Sequence, residues 1–313
     1  MTGQMAVVFN QIIIFAILMV IGFIAAKTKV VTRDVLNALS RFIVKIILPA
    51  LIFSIVAGSG VTAKEFLVGG RFAIGVVLCF ALLILAGILT SKLLRQEGKT
   101  ANIFVALTTF GNMGFMGIPL IQEIFKEPAA QVCISIYTIV DMALLWTFGV
   151  YLCSRHQENS NPLGAVKNMI NPTTMALFIA FVIMIFRIPV PDLLMNTITG
   201  IGGTSKYLTL MYLGGVLAYV SSYRIIKKPG IFVLTVVKML IMPILVYYLS
   251  GFFLEQVPRA ILTIIVGLPS MTTIAMVATA YQSDDEYATE IIFVTTLASL
   301  ITIPIISFVT SVM

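Results

Sequence analysis

The sequence predicts an all-α polytopic membrane protein: ten transmembrane helices as two inverted five-helix repeats, with broken crossing helices 4 and 9. Three observations predict it. The chain is 59% hydrophobic and 11% charged, with a mean hydropathy of +1.07, far more apolar than a soluble domain needs. The apolar run from Ala101 to Phe125 is long enough to span a bilayer, yet it holds Gly111, Asn112, Gly114, Gly117 and Pro119 within nine positions. Glycine costs a helix interior about 1 kcal/mol and proline about 3. Third, Gly117-Ile118-Pro119 is echoed by Gly267-Leu268-Pro269 in the other half of the chain.

Ten spans follow in order: 8–27, 36–58, 70–92, 101–123, 131–153, 170–187, 195–219, 231–254, 259–281 and 287–310. Each is near the ~20 residues that a bilayer core requires. The first lacks a basic leading region and a small-residue cleavage site, so it reads as a retained helix rather than a signal peptide. The second carries Pro49 near its middle, and Pro49, Gly117 and Pro119 are expected to break their helices. The seventh opens on a polar, glycine-rich stretch, Thr197 to Ser205. The polar loop 154–169 divides the chain into a first repeat, 1–153, and a second, 170–313. A second echo supports the duplication: Ser40-Arg41 precedes Leu48-Pro49 as Ser205-Lys206 precedes Leu213-Gly214. A unit of five spans repeated in tandem inserts with opposite orientation, because five is odd. Spans 4 and 9 are then symmetry partners.

The net charge is +7 and the pI about 9.3. The bases are scattered in short loops, which fits the positive-inside rule and excludes a nucleic-acid face. With the N-terminus outside, the inside loops hold eleven bases (Lys27, Lys29, Arg33, Lys92, Arg95, Lys99, Arg155, Lys167, Arg224, Lys227, Lys228). The outside loops hold five (Lys64, Arg71, Lys126, Arg187, Arg259). That imbalance puts both termini outside. The acidic loop Gln282 to Glu286, which has no base, is the one exception. Cys79, Cys133 and Cys153 lie in apolar runs and His156 is the single histidine, so neither a disulfide framework, a metal site nor a cofactor is expected.

A helix interrupted in the membrane leaves backbone groups that need protein or a wet cavity to cover them. Its N-terminal ends present free N–H groups and about half a positive charge, an anion site made from backbone. Gly111, Asn112 and Gly114 belong to the first such break, and Pro269, Thr272 and Thr273 to the second. Other readings stand beside this one. The glycines could form a helix-packing face, Asn112 could cap the following half-helix, and the threonines could bond back to the preceding turn. Asp141 lies near the bilayer centre of span five, where an acid is expensive and usually functional. It is a candidate proton carrier or a lock between helices. Lys45, nine residues into span two, could balance that charge, attract an anion or snorkel. Arg41 and Lys238 are expected to snorkel. No nucleophile elbow, zinc-protease motif or phosphate loop appears, so no enzyme is expected.

These residues resemble the auxin efflux carrier family, which is similar in fold to the bile-acid sodium symporters. The resemblance is carried by Gly111 to Leu120, by Arg41-Phe42 and Leu48 to Phe53, by Tyr137-Thr138 and Trp146 to Gly149, and by Leu268-Pro269, Tyr281 and Ile303-Pro304. It covers nearly the whole chain. It implies the crossover of spans 4 and 9, a scaffold domain moving against a transport domain, and an organic anion substrate: indole acetate, malate or malonate. It carries a substrate-contact role over to Asn112 and allows a homodimer. Thr273 departs from the asparagine that many bacterial members hold at the second crossover. The short 154–169 loop is similar to small prokaryotic carriers, at the cytoplasmic membrane.

The leading expectation is a secondary transporter of a small carboxylate, driven by membrane potential or by proton coupling. A sodium-coupled symporter is weaker, since no carboxylate sits in either break and a sodium site wants several oxygen ligands. A channel, or a non-transporting sensor on a carrier fold, is the alternative of another class. The absence of an appended signalling domain speaks against the sensor.

Overall fold

The computed structural model of the chain describes residues 2–58, 69–156, 172–219, 225 and 227–312. The 157–169 part of the dividing loop, and with it Lys167, lies outside them, as do Lys64 and Arg224. The architecture is all-helical, and no strand occurs among the described residues. Among the described residues, five helical runs are long and apolar enough to cross a membrane: Arg33–Ala57, Gly70–Leu93, Pro128–Ser154, Pro229–Ser250 and Asp285–Thr310. Shorter apolar helices run over Ile13–Lys27, Met113–Ile124, Pro172–Phe186 and Gln256–Val266.

In chain order, α1 is Thr2–Lys27. The second run is α2 (Arg33–Phe42), a π turn (Ile43–Ile47) and α3 (Leu48–Ala57). Thr32 caps it, accepting a hydrogen bond from the Val35 N–H at the N-terminus. Next come α4 (Gly70–Leu93), α5 (Gly98–Thr109), a π turn (Met113–Gly117) and α6 (Ile118–Ile124). Then follow α7 (Pro128–Leu144), a π turn (Leu145–Gly149) and α8 (Val150–Ser154). The second half holds α9 (Pro172–Phe186), α10 (Asp192–Gly203) and α11 (Ser205–Leu217). It continues with α12 (Pro229–Val236), a π turn (Val237–Ile241), α13 (Met242–Ser250), α14 (Gln256–Val266), α15 (Thr272–Ala280) and α16 (Asp285–Val312).

Three of the π turns have one cause. Each is followed by a helix whose second residue is proline: Pro49, Pro119 or Pro243. A proline inside an α-helix clashes with the carbonyl four residues back. Inserting a π turn adds a residue and shifts that carbonyl away. The i→i−5 bonds Leu48 N–H to Ile43 O, Ile118 N–H to Met113 O and Met242 N–H to Val237 O mark the insertion. Pro49, Pro119 and Gly117 therefore do not break their helices, as the sequence reading had them. The prolines sit in continuous helix after a widened turn, and Gly117 is part of one.

The helices pack in two groups. In one, α1 lies along α11, and α3 packs against α9 and α10. The α1–α11 contact is backbone to backbone: a Cβ on Gly22 would overlap the Met211 carbonyl oxygen, and one on Gly214 would overlap that of Met19. In the other, α4, α5, α7, α12, α14 and α16 surround the two breaks. The turn before α5 is tied to the start of α16. Gln96 donates to the Tyr287 hydroxyl (2.8 Å), Thr100 to Asp284 (2.6 Å) and Lys99 to the Gln282 carbonyl (2.7 Å).

Candidate functional site

The two breaks meet. The chain leaves α5 in extended conformation at Phe110 (φ −94°, ψ 122°), and Gly111 pairs antiparallel with Ser270. The Asn112 N–H donates to Pro269 O (2.8 Å) and the Met271 N–H to Phe110 O (3.1 Å). Each interruption thus satisfies the backbone that the other exposes, which an interior without water requires. The freed carbonyls at the end of α5 are also covered: Leu107 O accepts from Ser270 Oγ (2.8 Å) and Thr108 O from Lys238 Nζ (2.8 Å). Ser270 N–H in turn donates to Thr295 on α16 (3.2 Å).

Gly111, Asn112, Pro269, Thr272 and Thr273 all lie in this junction, and the three polar side chains are buried. Asn112 does not cap its own helix. Its amide reaches across to Thr272 Oγ1 at 3.4 Å, while its Oδ1 is buried with no hydrogen-bond partner. The start of α15 sits beside it, where the first N–H groups of a helix are unpaired by geometry. Gly114, two residues on, lines a cavity of about 470 Å³ together with Pro119, Ser54, Gly58, Gln131 and Lys206. A second cavity, of about 640 Å³, is lined by Arg33, Asn37, Tyr219, Thr279, Asp285 and Glu290. Arg33 and Asn37 line one cavity and Leu51 to Gly58 the other, so the two cavities lie towards opposite ends of one helical run, their nearest lining residues on it about 21 Å apart at 1.5 Å per residue. Gly114, just after the first paired segment, lines one cavity, and Thr279, at the far end of the helix that follows the second, lines the other.

Behind the junction lie two buried ionisable side chains. Asp141 on α7 has zero exposure, and neither of its oxygens has a hydrogen-bond partner. Lys238, on the π turn before α13, also has zero exposure. Among the described residues, the titratable side chains within electrostatic reach of these two are each other, Cys79 on α4 and Tyr137 on α7. Lys238 was expected to snorkel and does not: its run packs inside the second helix group, and its ammonium turns to the α5 carbonyls. Lys45 is exposed on its own π turn and is not the cation that faces Asp141. Sequence spacing could not separate the two lysines, because both precede a proline in an apolar run. Ser270, which ties both breaks together, was also missed. The only signal for it is its place directly after Pro269.

A multi-pass helical protein with two interrupted helices joined to each other, and with cavities towards opposite ends of one helical run, has the build of a membrane transport protein. Two successive stretches, residues 7–163 and 159–307, each match the family described as membrane transport protein. The chain belongs to that family, the auxin efflux carrier group to which the sequence is similar. A curated relative, the lysosomal cholesterol signaling protein of Mus musculus, is 23% identical over 246 residues, which are 72% of this chain and 27% of that protein. The chain therefore spans about a quarter of that relative's length.

Proposed function

We propose that the protein is a secondary transporter of a small organic carboxylate anion, malate-like, malonate-like or auxin-like, working by alternating access across the plasma membrane. The observation that carries this reading is the junction of Gly111–Asn112 with Pro269–Ser270, flanked by cavities at opposite ends of the Arg33–Ala57 run. Ten spans in two inverted repeats, both termini outside, fit the double family match. They also fit the mirrored packing, in which α1 of the first half lies on α11 of the second and α9 of the second on α3 of the first. The group built on α1, α3, α9 and α11 is the scaffold, and the group around the breaks is the moving part. The substrate carboxylate meets the N–H groups at the start of α15, with Thr272 and Thr273, and the Asn112 amide. The unpartnered Asn112 Oδ1 would accept from a substrate hydroxyl, which favours a hydroxy acid such as malate. Lys206 is the one charged side chain among the described residues lining the 470 Å³ cavity, a suitable first attraction for an anion. Asp141 carries the proton or balances charge, with Lys238 rather than Lys45 as its counterpart.

Flux of labelled malate, malonate or indole acetate into proteoliposomes tests the reading. Saturable, counterflow-stimulated uptake is expected. No uptake under any gradient would sink it, and non-saturating flux would make it a channel.

A second reading is a sensor on a carrier fold, favoured by the name of the mouse relative, a signaling protein. Ligand binding by purified protein without flux would select it.

A further inference from the structure

We infer that Lys238 is a tethered cation: its ammonium, hydrogen-bonded to the Thr108 carbonyl at the C-terminal end of α5 and with Asp141 in its field but not in contact, fills the role that a coupling metal cation plays in ion-driven carriers. This rests on the carrier reading above. The end of a helix carries about half a negative charge on its unpaired carbonyls. Interrupted membrane helices use such ends to hold coupling cations. Here α5 ends inside the protein, and the Thr108 carbonyl accepts its hydrogen bond from Lys238 Nζ at 2.8 Å. Asp141 adds a carboxylate whose two oxygens are buried and unpartnered. Carbonyl end and carboxylate together call for one positive charge in a place closed to water. Neither Lys238 nor Asp141 is exposed at all, so no bulk counter-ion reaches them. A buried carboxylate that loses its partner charge is left uncompensated, at a cost of several kcal/mol.

A resident ammonium makes an exchangeable cation unnecessary. The wild-type protein should therefore be indifferent to the identity of the monovalent cation. Removing the ammonium leaves the Thr108 carbonyl without its donor and Asp141 without the positive charge near it, and both are oxygen donors suited to a hard cation.

The experiment is thermal unfolding of the purified full chain in sodium chloride against choline chloride at matched ionic strength. Wild type should give one midpoint in both. Lys238→Met should unfold lower in choline and recover with added sodium along a saturable curve, by about 3 °C at tenfold excess over the dissociation constant. The double variant D141N/K238M should lose the sodium response. A Lys238→Met midpoint equal in sodium and choline overturns the inference, as does a sodium response that survives in the double variant. If Lys238→Met yields no folded protein, the double variant decides. Recovery of folding supports the tethered pair, and equal failure overturns it. The readout needs no flux, so a wild type that transports no carboxylate would refute the carrier function and leave this result standing.

Discussion

Truncating Asn112 to alanine should separate binding from folding. The backbone of residue 112 makes the structural contact, N–H to Pro269 O at 2.8 Å, and alanine keeps it. The side chain contributes little to stability. Its reach to Thr272 is 3.4 Å, at the outer limit of hydrogen bonding, and is worth about 0.5 kcal/mol. Its Oδ1 is buried without a partner, which costs the folded state about 1–3 kcal/mol. The small void left by the deleted amide offsets part of that gain. Asn112→Ala should therefore unfold within about 1 kcal/mol of wild type. Affinity should respond differently. A hydrogen bond to a charged carboxylate is worth about 1.5–3 kcal/mol, which is roughly 10- to 100-fold in dissociation constant. Calorimetric titration of malate and malonate, beside thermal unfolding of the same samples, measures both. Unchanged affinity in a folded variant would remove Asn112 from the site. A large stability loss with unchanged affinity would make it a purely structural residue.

Four further outcomes follow from the packing and the charges. If Asp141 carries the proton, Asp141→Asn should abolish the pH dependence of net transport while counterflow survives; a pH profile identical to wild type would assign Asp141 a structural role. Gly214→Ala places a methyl against the Met19 carbonyl oxygen, and such overpacking should cost about 1–3 kcal/mol in thermal unfolding. Lys228 pairs at 2.6 Å with Glu290, which is only 2% exposed, so Lys228→Met should destabilise by about 1–2 kcal/mol after allowance for the partly open lysine. Adding Glu290→Gln should restore most of it. Burial, then the nearby Lys99, holds His156 below the usual histidine range. The unfolded chain then takes up that proton first as pH falls. Stability should therefore decline from about pH 6.5 down through the folded value, and His156→Gln should flatten that decline in a pH series of unfolding midpoints.

Composition and span length determined the class on their own. A chain this apolar has no soluble solution, and backbone in lipid must be helical or covered. The glycine, asparagine and proline of Gly111–Pro119, with the echo at Gly267-Leu268-Pro269, were enough to locate both interruptions, since helix-breaking residues act locally. Other features depend on partners far away in sequence, and there the tertiary structure decided. Pro49 and Pro119 look like breakers in sequence. They are absorbed by π turns, because one inserted residue relieves their clash, while the chain actually unwinds at Phe110 to Asn112, where Pro269 and Ser270 pair with it. Lys45 and Lys238 are equivalent by hydropathy. Only packing turned one outward and closed the other against Thr108, because burial of a charge is set by what surrounds it and not by its neighbours in the chain.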